Sequence, residues 1–116
     1  MLGHLDLISR YDKAGDYPFE AVKPMVSEIL KTAIEDGKGI ELNTSYHRYG
    51  LKDTTPSVDI LKLYKSMGGE ILTIGSDSHA PGHLGSYIAE GKQLLESLGF
   101  RYFCTYDEMV PIFHKL

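Results

Sequence analysis

The sequence predicts an α/β domain in which parallel strands alternate with helices. Apolar residues recur at helical spacing over Phe19 to Asp36, Ser57 to Met67 and Leu84 to Leu98. Between these stretches lie two short runs, GIELNTS from Gly39 and ILTIGSDSH from Ile71, that read as strands. Glycines at Gly37, Gly39, Gly68, Gly69 and Gly99 mark where each helix stops.

The elements follow in order. Met1 to Tyr11 reads as a strand end passing into a helical turn, with His4 at its mouth. Tyr11 to Pro18 is polar and glycine-bearing, which is loop chemistry. In the first helix Val22, Met25, Val26, Ile29, Leu30 and Ala33 form the apolar stripe. In the next strand Ile40 and Leu42 alternate with Glu41 and Asn43, giving one apolar face and one polar face. The loop from Tyr46 to Pro56 carries Tyr46, His47, Arg48 and Tyr49. Ser57 is placed to cap the second helix. A Pro-Gly turn at Pro81 precedes the third helix, whose buried side is Ile88, Leu94, Leu95 and Leu98. RYFCTY from Arg101 is β-rich, and VPIFHKL from Val110 adds a last short strand.

At 116 residues this is one domain, long enough to bury a core. Twelve basic against sixteen acidic residues leave a net charge of −4, with the basic ones scattered, which argues against a nucleic-acid surface. The lone Cys104 has no internal disulfide partner and lies among apolar neighbours, so it reads as a small core residue. That usage fits a reducing cytoplasm, and neither a signal peptide nor a membrane span is visible.

The chain is organised around Ile71 to His79, an apolar β-branched run that ends in Gly, Ser, Asp and His. On an extended strand Asp77 and His79 project to the same face, a natural pair of metal ligands. The alternative is an Asp that caps the next helix and a His in a polar turn. Three stretches bring polar residues to the C-terminal ends of strands: His4 with Arg10, Glu41 and Asn43 with Arg48, and Asp77 with His79. In β/α folds ligand chemistry collects at that level, and paired arginine forks suit a phosphate.

GHLDLISRY, then ELNTS followed by Arg48, then IGSDSH, resembles the C-terminal part of a PHP-type histidinol-phosphatase. The likeness extends over essentially the whole chain. It implies the C-terminal portion of a distorted seven-stranded β/α barrel. It also implies a metal-dependent phosphomonoesterase of histidine biosynthesis that hydrolyses L-histidinol phosphate. By resemblance His4, Asp77 and His79 are ligands in a cluster of up to three zinc, iron or manganese ions, with Asp77 and His79 catalytic. Arg10 and Arg48 hold the substrate phosphate and Glu41 and Asn43 line the pocket, while Tyr11 is added to the pocket lining because it follows Arg10. The family's N-terminal half, with its His-x-His pair and bridging Glu, has no counterpart here, so an inactive fragment is expected.

Two other readings stand beside this one: a PHP phosphoesterase for a different small phosphate, and a non-catalytic truncated module. His47 reads as a solvated loop residue, His83 as a turn residue, and His114 as a tail residue without a partner. Arg10 reads equally well as a surface ion-pair residue by spacing alone. A partial barrel exposes sheet edges, which predicts self-association.

Overall fold

Gly39 opens the first strand at a point where a side chain has no room. A Cβ there would run into the carbonyl and the Cγ2 of Ile71. That close approach sets the register of a parallel pair, β1 (Ile40–Asn43) and β2 (Leu72–Gly75), with Ile40 opposite Leu72 and Asn43 opposite Gly75. The structure is a computed structural model and describes residues 1–12 and 17–116. Part of the loop expected over residues 11–18 therefore lies outside the described residues.

The expected strand end before His4 is a single parallel bridge from Leu2 to Ile40. Gly39 O accepts from Leu2 N, and Leu2 O accepts from Glu41 N, which orders the N-terminus along the free edge of β1. Residues Leu7–Arg10 then wind into a short 3-10 turn.

The first helix, α1 (Phe19–Glu35), buries Val26, Leu30 and Ala33, as its periodicity requires. In α2 (Val58–Ser66) the Ser57 hydroxyl accepts from Ile60 N at 3.4 Å, the cap expected from sequence. Its Tyr64 is fully buried and donates its hydroxyl to Ile71 O at 2.8 Å. Burial pushes that phenol up to about 12, so it stays a neutral donor. The third helix, α3 (Ile88–Ser97), begins later than the expected Leu84. Gly85 and Tyr87 both have positive φ, 71° and 62°, and no helix runs through such residues.

The C-terminal strands depart from the all-parallel expectation. β3 (Tyr102–Asp107) and β4 (Val110–Lys115) form an antiparallel hairpin, with Cys104 opposite Phe113 and Asp107 opposite Val110. Glu108 and Met109 make the two-residue turn with φ 45° and 68°. Positive φ at both positions is the turn that matches the twist of paired strands. Cys104 is a core residue as expected, 2% exposed, and burial pushes its thiol up.

The core gathers Val26, Leu30, Ile40, Leu42, Ile60, Leu61, Tyr64, Leu72, Leu95 and Phe100 between the helices and the sheets. No helix among the described residues is long and apolar enough to cross a membrane.

Candidate functional site

β2 ends at Gly75, and the chain turns at once. Asp77 has φ 48°, so Asp77 and His79 do not project from an extended strand, contrary to the expectation above. They meet all the same. His79 Nε2 lies 3.1 Å from Asp77 Oδ1, with the imidazole largely exposed and the carboxylate mostly covered. The turn is held from across the sheet by Arg48, whose Nη1 donates to Ser76 O at 3.3 Å and Nη2 to Asp77 O at 2.7 Å. Ser76 Oγ accepts from Gly85 N at 3.2 Å, tying the same turn to the approach of α3.

Arg10 reaches this turn from the N-terminal segment. Its Nη1 stands 3.9 Å from Asp77 Oδ2, so Asp77 sees imidazole on one oxygen and guanidinium on the other. The guanidinium also lies over the ring of Tyr49, 3.3 Å from its centroid. Tyr11 stands further off, 5.3 Å from Arg10, and is 70% exposed, so it borders the site and does not line a closed pocket.

Glu41 and Asn43 form a second polar group on β1. Glu41 Oε2 accepts from His4 N at 3.0 Å, and Asn43 Nδ2 donates to the same oxygen at 3.4 Å. Asn43 is 1% exposed, and its Oδ1 accepts from Ser45 N at 3.0 Å, capping the turn Thr44–Tyr46. Gly75 leaves room for this carboxylate, since a Cβ there would strike Glu41 Oε1. His4 thus enters through its backbone amide. Among the described residues, no three His, Cys, Asp or Glu side chains are grouped to hold a metal ion. Asp77 and His79 meet as a carboxylate–imidazole pair, one side chain short of such a group among the described residues.

The chain is 36% identical over 104 residues to a probable histidinol-phosphatase of Thermotoga maritima, a match covering 87% of this chain and 42% of the relative. It is 30% identical over 112 residues to the histidinol-phosphatase of Lactococcus lactis, covering 92% and 40%. A probable histidinol-phosphatase of Clostridium acetobutylicum is 30% identical over 103 residues, covering 86% and 40%. Over nearly its whole length this chain is similar to histidinol-phosphatases. It spans about two fifths of the length of these relatives. No family model matches it.

Within this histidinol-phosphatase relative the remaining histidines have structural surroundings. His47 stacks between Tyr46 and Tyr87, with centroids 4.3 and 4.2 Å away, so it is a packed ring as well as an exposed one. His83 closes the turn Pro81–His83 as expected. His114 is not without a partner: its Nε2 lies 2.7 Å from Thr105 Oγ1, and it stacks on Phe103. Sequence reasoning gave Tyr49 and Thr44 no role in the site. The Thr44 hydroxyl is 2.7 Å from Ser86 O and 3.3 Å from Gly75 O, pinning α3's approach to the end of β2. Thr44 falls within the ELNTS run and Tyr49 directly after Arg48, but the contacts that give each a role are made across elements.

Proposed function

We propose that this chain supplies the phosphate-facing end of a metal-dependent phosphomonoesterase that releases phosphate from L-histidinol phosphate. The observation that carries the reading is the meeting of Arg10, Arg48, Asp77 and His79 at the end of β2 in a relative of histidinol-phosphatases. In this reading the chain is the C-terminal portion of a distorted β/α barrel, and β1 and β2 are neighbouring barrel strands. The enzyme works in the cytoplasm on a small phosphorylated substrate.

Arg10 binds the phosphoryl oxygens and offsets their charge, because a guanidinium edge matches them with parallel donors. Arg48 shares that role through the donors left after its two bonds to the turn. Glu41 and Asn43 border the pocket. Asp77 and His79 would serve as ligands, with His4 as a third, and zinc, iron or manganese fits a carboxylate and imidazole set. The shell is partial, so the work assigned to this chain's own residues is binding and orientation.

Titration of the chain with L-histidinol phosphate, followed by amide and side-chain NMR, tests the reading. Shifts should gather at Arg10, Arg48 and Ser76 to His79, and Arg10→Ala should abolish them. Shifts scattered elsewhere, or binding unchanged by Arg10→Ala, overturn it.

A further inference from the structure

We infer that Tyr49 is a positioning residue that presents the two arginines to an oxyanion. The inference rests on the phosphate reading above and adds to it a side chain to which the sequence assigned no role.

Tyr49 lies directly after Arg48, in the loop that leaves the turn Thr44–Tyr46. Its ring takes Arg10 at 3.3 Å from centroid to guanidinium carbon, and Arg48 at 5.4 Å. The two guanidiniums therefore stand no further apart than the sum of those distances. They come from segments far apart in sequence, and the ring is where they meet.

The chemistry of the contact decides its use. A guanidinium is planar, with an apolar, weakly hydrated face and an edge of N–H donors. Stacking on a ring occupies the face and leaves the edge for anions. At Arg10 that edge is turned toward the Asp77 carboxylate, 3.9 Å away. A separation of that size gives attraction without a short, fixed hydrogen bond. The ring therefore supplies the orientation that the ion pair does not. An unstacked arginine would lose its rotamer freedom on binding an anion, and a stacked one has given it up already. Arg48, anchored through Ser76 O and Asp77 O, brings a second edge beside the first.

Tyr49 is 39% exposed, and its ring is not part of the buried core. Replacing it therefore leaves the fold in place. That separates it from Tyr64, whose loss would damage the core.

The test uses the 116-residue chain with inorganic phosphate as the probe. Wild type, Arg10→Ala, Tyr49→Phe and Tyr49→Leu are titrated by NMR. The upfield ring-current shift of the Arg10 side-chain protons is read in the same spectra. Tyr49→Phe keeps the ring face, so affinity and the shift should both persist. Tyr49→Leu should abolish the shift and weaken phosphate binding about five- to tenfold. If Tyr49→Leu removes the shift while binding is unchanged, and Arg10→Ala still weakens it, the positioning role is overturned and the phosphate reading stands. If wild type and Arg10→Ala bind phosphate alike, both fall together.

Discussion

Arg48 donates through Nη2 to the carbonyl oxygen of Asp77 at 2.7 Å, and the residue it grips is one with positive φ, 48°. A non-glycine residue in that region costs free energy unless its surroundings hold it there. The second bond, Nη1 to Ser76 O at 3.3 Å, makes the grip a fork. One side chain of the loop after β1 thereby fixes the turn that carries Asp77 and His79.

Arg48→Lys keeps the charge and loses the fork, so it should free this turn. Amide exchange over Ser76 to Ala80 should speed about tenfold, with a stability loss of about 1–2 kcal/mol. Hydrogen exchange by mass spectrometry or NMR reads this directly. Unchanged protection of the turn would mean that the arginine is spent on solvent.

Two glycines in the sheet should respond very differently to alanine. Gly39→Ala drives a methyl into the Ile71 carbonyl, which is backbone and cannot move without parting β1 from β2. The expected cost is about 3 kcal/mol. Gly75→Ala meets only the carboxylate end of Glu41, a flexible side chain, so the cost should be about 1 kcal/mol. The displaced Glu41 would release His4 N, so the His4 amide resonance should move in Gly75→Ala. Thermal denaturation ranks the pair; equal losses would contradict this account of the two close approaches.

The β3–β4 hairpin leaves Met109 89%, Val110 60% and Phe113 46% exposed, a run of large apolar groups on a two-stranded sheet. The same proposal of a partial barrel carries self-association along such edges. Light scattering at micromolar concentration should give a dimer, and Val110→Lys should return it to monomer without harm to the core. Leu72, fully buried, would be the wrong place for that charge. A monomeric wild type would remove self-association from the proposal.

Much of this fold was legible in the residues themselves. The periodicity of Val26, Leu30 and Ala33 and the Ser57 cap are local signals, and local signals survive into α1 and α2. The hairpin was not legible because Glu108 and Met109 occupy a turn that glycine and asparagine usually mark. Asp77 and His79 were paired for the wrong geometric reason: the strand meant to align them ends at Gly75, and Asp77 lies beyond it at positive φ. Arg10 and Asp77 were foreseen at one level of the fold and do converge. The placement of Arg48 and Tyr49 depends on contacts across the sheet, which no spacing rule encodes.

Asp6 gives the last expectation, and its sign runs opposite to that of most carboxylates. The side chain is half-buried at a positive-φ position, φ 64°, where Asp and Asn are the best tolerated of the larger residues. Its Oδ2 accepts from Ser57 N at 3.0 Å, while Oδ1 is buried with no hydrogen-bond partner among the described residues. Desolvation, first, and the nearby Asp53 charge raise its pKa to about 6, against the pull of the Ser57 bond. Between the ordinary value of 3.8 and about 6 the folded chain holds a proton that the unfolded chain has lost. This contribution to stability is therefore fully present below pH ~4 and is lost as pH rises through about 6. Asp6→Asn keeps the acceptor for Ser57 N and the tolerance of positive φ, and removes the buried charge. It should stabilise the fold by about 1–2 kcal/mol at pH 7.5, allowing for the part of the carboxyl that solvent still screens. The gain should vanish near pH 4. Urea denaturation of both proteins from pH 4 to 7.5 measures the difference, and a gain independent of pH would show that the Asp6 carboxyl does not titrate in this window.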